Sequence, residues 1–426
     1  MISKIKDTIN SLKRNGFFHV ILSSSLVKVV SFISAIFLPR IIGDKVAFGL
    51  LSYVDNIRSY ILMFNGLGVT YSIIYYCAKE NNERKRSGYF ASILKLGFVI
   101  DAFVVLLTII LTLVLPETFS GQKELMLASS FICVFFLFFE GIQLYLRACL
   151  KNNYYSYLNA TYTVLMVVLQ IAAAFFSGVT AVVWIRYLAL GISVALGIVL
   201  LSKSQLYTSD YIKPDKKELL EIFKYGFITM LATASSTVMS LNETQLLAMF
   251  TVDEGIVADY KVASYMFLIS TFLSQSVAIC IFPYFSKNRD NKDWVWKNYK
   301  KAMLYNGVVM IFIHIALWFL AEPFVLIAFG EEYINSVVFM KLLIIASFGQ
   351  TVFRMLTGNV LSAIGKQKFN LAVNIVSIIV HFAVCYLFMS RFGGYGLIAG
   401  PICVYYLSGI VMCLYLRKVL TKDIQQ

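Results

Sequence analysis

From Phe48 to Ala78 the sequence stays apolar for longer than the roughly 20 residues that a helix needs to cross a bilayer. Within that run stand Asp55 and Arg58. Residues three apart share one face of a helix. A charge facing lipid costs about 2.5–3.5 kcal/mol, so this face must meet protein, water or a partner charge. The run therefore restricts the chain to a bundle of spans that encloses polar surface, the form of a transporter with a polar lumen.

The rest of the chain repeats the pattern. Apolar runs of spanning length predict twelve helices, over 17–39, 47–78, 89–115, 124–150, 154–176, 179–202, 222–249, 257–285, 299–328, 334–364, 369–390 and 395–416. Hydrophobic residues make up 59% of the chain and charged residues 14%, against about 25% charged in soluble domains. The expected fold class is all-α integral membrane. Pro39, Pro116 and Pro283 fall at span ends, where a missing N–H does least harm. Gly66 and Gly68 predict a bend in the second span. The amino-terminal MISKIKDTINSLKRNG is too polar for a signal peptide and no small-residue cleavage site follows it, so the first span is expected to remain attached.

The basic residues sort by side. Between spans, 26 Lys and Arg fall on one side and 4 on the other, the latter being Arg40, Lys45, Lys123 and Arg391. Such asymmetry marks the cytoplasmic side, so both termini are expected in the cytoplasm. The same asymmetry accounts for the formal charge of +14 without a nucleic-acid partner. The seven cysteines show neither metal-ligand spacing nor a disulfide framework and read as small packing residues. Tyr75, Tyr76, Tyr154 and Tyr155 sit where spans meet the interface, as an aromatic belt does.

The chain also repeats internally. Gly16-Phe17 aligns with Gly226-Phe227, DKVAFGL (44–50) with EGIVADY (254–260), and YLRACLKNNY (145–154) with VLSAIGKQKF (360–369), all at nearly one offset. Six spans per half make the two repeats parallel, related by an axis along the membrane normal. The expected organisation is an amino-terminal six-helix lobe over 1–202, a polar cytoplasmic linker over 203–221 and a carboxyl-terminal six-helix lobe over 222–426, with a site between the lobes near the midplane. No loop is large enough to fold into a catalytic domain, so no enzyme is expected.

Three segments resemble a known family. LPRIIGDKVAFGLLSYVDNI is similar to the start of the second helix of polysaccharide flippases. FGEEYINSVVFMKLLIIASFGQTVFRMLTGNVLSAIGKQKFNLAVNIV is similar to their ninth-to-eleventh helix region, and RFGGYGLIAGPICVYY to their twelfth-helix entrance. The resemblance covers most of the chain and identifies it as a member of the multidrug/oligosaccharidyl-lipid/polysaccharide exporter superfamily, with a MATE-like fold. It implies two six-helix lobes around a V-shaped cavity. It also implies translocation of undecaprenyl-pyrophosphate-linked oligosaccharide repeat units, of O-antigen or capsule, across the bacterial cytoplasmic (inner) membrane. A polysaccharide polymerase and a chain-length regulator are the partners it implies beside the lipid bilayer. Its motifs are structural and assign no chemistry to particular residues.

The charges within spans supply the candidate site. The bases are Lys28, Arg58, Lys95, Arg186, Lys261, Lys341 and Arg354; the acids are Asp55, Asp101, Glu140 and Glu243, with Asp259 near an end. A surplus of bases fits an anionic headgroup, to which Arg offers a bidentate fork and Lys a point charge. Lys28, Arg58, Arg354, Arg186 and Lys341 are the candidate substrate-binding residues. Asp55, Glu140, Glu243 and Asp101 are candidates for ion coupling or charge pairing. Plainer readings stand beside these. Lys95, Lys261 and Lys341 can snorkel to an interface, Asp55 and Arg58 can simply neutralise each other, and Glu140 and Glu243 can partner nearby bases. His314 and His381 read as packed and neutral, against a proton-sensing role. No Walker motif or Gly-rich phosphate loop is present, so ATP is not expected to drive transport directly, and no cofactor or metal is expected. A cation-coupled multidrug exporter of the same fold and, more distantly, a membrane polysaccharide polymerase are the alternative readings.

Overall fold

A computed structural model describes residues 17–251 and 253–421. Lys4, Lys6, Lys13, Arg14, Gly16 and Lys422, which entered the charge and repeat arguments, lie outside the described residues, as do the side chains of Cys280 and Pro283. The described chain is helical throughout, without a strand among the described residues.

Each predicted span falls on a helix. Seven stretches are apolar and long enough to cross a bilayer by length and composition, counted among the described residues. Two of them are far longer than one crossing. Asn152–Lys203 has 52 residues, roughly 78 Å of straight helix, against an apolar bilayer core of about 30 Å. It breaks at Gly178 (φ 74°, ψ −164°) and so divides into two helical segments. Gln367–Thr421 likewise breaks, at the 3-10 turn Gly393–Ile398. The three other predicted segments lie in the helices Phe17–Ile42, Lys216–Thr251 and Glu254–Lys287. All twelve segments read from hydropathy are thus present among the described residues.

The bend predicted from Gly66 and Gly68 is a full break. The helix Lys45–Met63 ends, a 3-10 turn runs over Asn65–Gly68, and a second helix covers Tyr71–Lys79. Three successive residues take left-handed conformations, Gly66 (φ 53°), Leu67 (φ 45°) and Gly68 (φ 78°). A second irregularity had no visible sequence cue: Gly349–Met355 forms a π-helix between Ser336–Phe348 and Leu356–Ala363. Widened turns leave carbonyls short of partners, which is tolerated in a bilayer only where protein fills the need. Here the Ser274 hydroxyl and the Asn306 amide donate to the Thr351 carbonyl at 3.1 and 3.0 Å.

Helix starts follow side-chain chemistry. Asn82 accepts from the Arg84 and Lys85 N–H groups, Asp253 from Gly255 and Ile256, and Asn291 from Trp294, each satisfying donors that a helix leaves open. Asp215 and Glu218 form a reciprocal capping box: the Glu218 N–H donates to Asp215 Oδ1 at 2.7 Å and the Asp215 N–H to Glu218 Oε2 at 3.0 Å. Residues before this cap do not hang free. The Ile212 N–H donates to the Arg84 carbonyl, Thr208 N–H to Ser87 Oγ, Tyr145 OH to the Leu206 carbonyl, and Arg84 pairs with Asp210 at 2.8 Å.

Two compact units divide the chain. The first takes the chain up to Asp44 together with Val54–Ala234; the second takes Lys45–Tyr53 together with the chain from Ser235 onward. In the first, Ile73, Ile93, Ile132, Tyr145, Leu146 and Leu158 form a buried apolar core. In the second, Phe285, Val295, Tyr299, Leu361, Met412 and Leu416 do so. Within the second unit the stretches 45–50 and 254–260, which align in the internal repeat, pack against one another. A Cβ on Gly49 would stand 1.9 Å from the Glu254 carbonyl oxygen. Lys45 pairs with Asp259 at 2.8 Å and donates to the Glu332 carbonyl at 3.0 Å. The six described cysteines are all free thiols.

Candidate functional site

In the first unit three of the predicted residues meet. Arg186, carried by the second half of Asn152–Lys203, forks onto Asp55 of Lys45–Met63. Its Nη2 donates to Oδ2 at 2.9 Å and its Nη1 to Oδ1. Such a planar, two-pronged contact is the strong form of an ion pair. Arg186 is 2% exposed, so the pair is desolvated on the arginine side. Arg58 lies one turn from Asp55, with Nε at 3.5 Å from Oδ1. That is close enough for attraction but long for a hydrogen bond, and Arg58 Nε has no hydrogen-bond partner. Two guanidinium groups therefore share one carboxylate, and the group carries a surplus of positive charge. Asp55 and Arg58 were expected on one face; the stronger partner of Asp55 is the distant Arg186.

Two other predicted acids sit at the break of the second span. Asp101 Oδ1 accepts from the Gly66 N–H at 2.6 Å, and Glu140 Oε2 accepts from the Thr70 hydroxyl at 2.8 Å. Neither forms an ion pair among the described residues. Lys28 lies on Phe17–Ile42 with an exposed side chain.

The second unit holds the remaining candidates. Arg354 belongs to the π-helical segment. Its Nη2 donates to Asn374 Oδ1 at 2.9 Å, and its guanidinium lies 5.5 Å from the centre of the Tyr405 ring. No acid pairs with it among the described residues; an amide oxygen and an aromatic face leave its charge uncompensated. Lys341 stands over the Trp318 ring at 5.8 Å, a cation–π contact. Glu243 takes hydrogen bonds from two sides, from His381 Nε2 at 2.9 Å and from the Tyr260 hydroxyl. The sequence treated Glu243 and His381 as separate solitary groups, and Tyr260 and Asn374 were missed. The available signal was that an acid and an imidazole each stood alone in an apolar run, where neither is stable without a partner. His314 is packed as expected, between the Met310 carbonyl and the Ser347 hydroxyl at 2.7 and 3.0 Å.

The structure thus joins Asp55, Arg58 and Arg186 in the first unit. It sets Arg354 and Lys341 on neutral partners in the second, and gives Asp101 and Glu140 a common location at a helix break. No cluster of three or more His, Cys, Asp or Glu fit to hold a metal ion occurs among the described residues.

Comparison with known proteins adds the following. The family model for polysaccharide biosynthesis proteins matches residues 12–289. No curated protein matches the sequence. Among solved structures, the inward-facing conformation of a multidrug resistance MATE family transporter of the MOP superfamily is similar with a TM-score of 0.72 at 13% identity, over 93% of this chain and 94% of that one. The lipid II flippase MurJ in an inward closed conformation is similar with a TM-score of 0.71 at 14% identity, over 93% and 87%. A variant of the Vibrio cholerae MATE transporter VcmN gives 0.61 at 17% identity, over 96% and 97%. The chain therefore has the all-α, multi-pass membrane fold of these transporters.

Proposed function

The chain belongs to the polysaccharide biosynthesis protein family, and from that premise we infer that it is a flippase for a lipid-linked oligosaccharide. The cargo proposed is an undecaprenyl-pyrophosphate-linked repeat unit, of O-antigen or capsule, moved across the bacterial cytoplasmic membrane by alternating access. The observation that carries this reading is the pair of guanidinium groups, Arg186 and Arg58, on the single carboxylate of Asp55. A surplus arginine inside a span is costly and finds its return in an anionic guest. Arg58, with its unpartnered Nε, is the group proposed to meet a phosphate oxygen while Asp55 and Arg186 hold its position. Arg354, which lacks an acid, is proposed as a second phosphate contact, with Lys28 and Lys341 adding positive charge along the path. Glu243, with His381, is proposed as a charge-pairing or ion-coupling group. The polyprenyl tail stays in lipid, since each buried CH₂ is worth about 0.8 kcal/mol. The fold relatives include both a multidrug transporter and a flippase; the cationic bias favours an anionic cargo over a cationic drug. Transport, and not catalysis, is the proposed activity.

Deletion of the gene, followed by analysis of lipid-linked intermediates, tests the reading. The complete repeat unit is expected to accumulate on its lipid carrier on the cytoplasmic side, with drug tolerance unchanged. Restoring Arg58→Ala or Arg354→Ala in place of the native protein, at equal protein levels, is expected to reduce surface polysaccharide at least tenfold. Normal surface polysaccharide in both variants would remove the assignment of these arginines.

A further inference from the structure

The first unit carries a slot that no residue of the flippase reading lines. It measures about 360 Å³ and lies between the helices Glu83–Val114 and Ile132–Ala148 and the segment that follows Lys203. Its lining is apolar apart from the Lys95 ammonium and the Tyr207 hydroxyl. Phe90 is its buried floor: the ring stacks on Tyr145 at 4.2 Å and meets Tyr207 edge-on at 6.1 Å. Phe98 and Phe138, with ring centres 6.2 Å apart, continue the apolar track. The Tyr207 wall is pinned on both sides. The Tyr145 hydroxyl donates to the Leu206 carbonyl at 2.7 Å and the Thr208 N–H to Ser87 Oγ at 3.2 Å. Further on, a Cβ on Gly88 would stand 1.8 Å from the Ile212 carbonyl oxygen. Beyond the slot, the exposed residues Val99, Phe103, Leu106 and Ile110 of the same helix are apolar, as on a face that meets acyl chains. The bases at the start of that helix are each matched, Arg84 to Asp210, Lys85 to Glu218 and Arg86 to Glu83. Lys95, roughly 18 Å along the helix from Glu83, is exposed and has no acid beside it among the described residues.

We propose that this slot binds an anionic glycerophospholipid, with Lys95 on its phosphate and one acyl chain along Leu94, Phe98 and Phe138. A lysine within a span needs a partner charge or a route to the interface. Acyl chains supply no charge, and no acid lines the slot. A phospholipid supplies both needs at once, a phosphate for the ammonium and a chain for the rings. Lysine is a compact point charge with three donors, suited to a single phosphodiester. The absence of an acid also selects the headgroup. A zwitterionic lipid would bring a second ammonium beside Lys95 with nothing to receive it, whereas a phosphatidylglycerol headgroup brings a net negative charge that basic residues attract. The lipid rests on Tyr207, so its occupancy backs the pinned segment that follows Lys203. This goes beyond the flippase reading: the phospholipid is bound and not moved, and no lipid-linked sugar is required.

Photocrosslinking on the purified full-length protein in detergent tests the slot, using phosphatidylglycerol with a diazirine on one acyl chain. Cross-links are expected on peptides that contain Phe98 or Phe138. Excess unlabelled phosphatidylglycerol should suppress them severalfold, and phosphatidylcholine should not. Lys95→Gln is expected to cut the yield at these peptides at least fivefold, Lys95→Arg to restore most of it, and Lys123→Gln to leave it unchanged. Lys95 is exposed, so neither substitution there threatens folding. Equal competition by phosphatidylcholine overturns the proposal, and so does an undiminished yield in Lys95→Gln. Displacement by farnesyl phosphate at lower concentration than by phosphatidylglycerol would give the slot to an isoprenoid carrier, and cross-links between two chains through these peptides would give it to a second copy; either result overturns the proposal as well. Surface polysaccharide plays no part in the readout, so this proposal and the flippase reading fail separately.

Discussion

Arg186 and Arg58 contact the same carboxylate with very different geometry, and the difference sets what each contributes. Arg186 is buried and forked onto Asp55; removing one member of a buried pair typically costs roughly 3–5 kcal/mol because the other charge is stranded. Arg58 is one-fifth exposed and not hydrogen-bonded to Asp55, and its removal leaves Asp55 paired with Arg186, so its loss strands no charge and should cost far less. Arg186→Ala is therefore expected to lower the thermal midpoint in detergent far more than Arg58→Ala, while Arg58→Ala should impair export at nearly native stability. Equal midpoints for the two variants would contradict this division of roles. Sequence showed the Asp55–Arg58 spacing, because a three-residue interval on a helix is local. It could not show Arg186, which is 131 residues from Asp55; hydropathy reports that a face is apolar without saying which distant face it meets. The pairing of His381 with Glu243 was hidden for the same reason.

Among the helices, the breaks carry the information. Gly66 and Gly68 were legible because glycine is the residue that takes positive φ without a steric penalty. Gly68 serves twice: φ is 78°, and a Cβ there would lie 2.5 Å from Met230 Cβ and 2.6 Å from the Gly226 carbonyl oxygen. Gly68→Ala is expected to destabilise the protein by roughly 2–4 kcal/mol, the sum of backbone strain and overpacking, seen as a lower thermal midpoint or loss of folded protein. Leu67, left-handed without being glycine, gave no such signal. The capping box of Asp215 and Glu218 was written in the D-x-x-E spacing. Lys85 hydrogen-bonds Glu218 at 2.9 Å and holds its carboxyl below the usual range, with the Asp215 N–H assisting. A lowered folded-state value means that this stabilisation is present above the ordinary glutamate range near pH 4.3. It is lost as pH falls through the depressed value. Glu218→Gln is expected to lower the midpoint at neutral pH and, by the same stabilisation, to flatten the acid side of the stability profile; an unchanged acid slope would show that the pair contributes nothing.

For the molecule as a whole, the twelve crossings expected from hydropathy and the distribution of basic residues propose a topology that fusions can check. Alkaline phosphatase joined after Gly178 or Gly330 should be active, and after Lys203 or Lys366 inactive. A reversal at any one of these sites would break the alternation on which the proposed cytoplasmic placement of both termini rests. The helical segments were legible because each is a long apolar run. The grouping of Lys45–Tyr53 with the second unit was not, since units are made by packing between helices and not by runs within them.

The widened turn at Thr351 has one further consequence. Its spare carbonyl is claimed by Ser274 and Asn306, which sit on two other helices. None of the three can slide past the others without leaving a dipole naked in hydrocarbon. Whatever motion carries cargo through the membrane, these three helices must travel as a single plate, and the hinges must lie elsewhere.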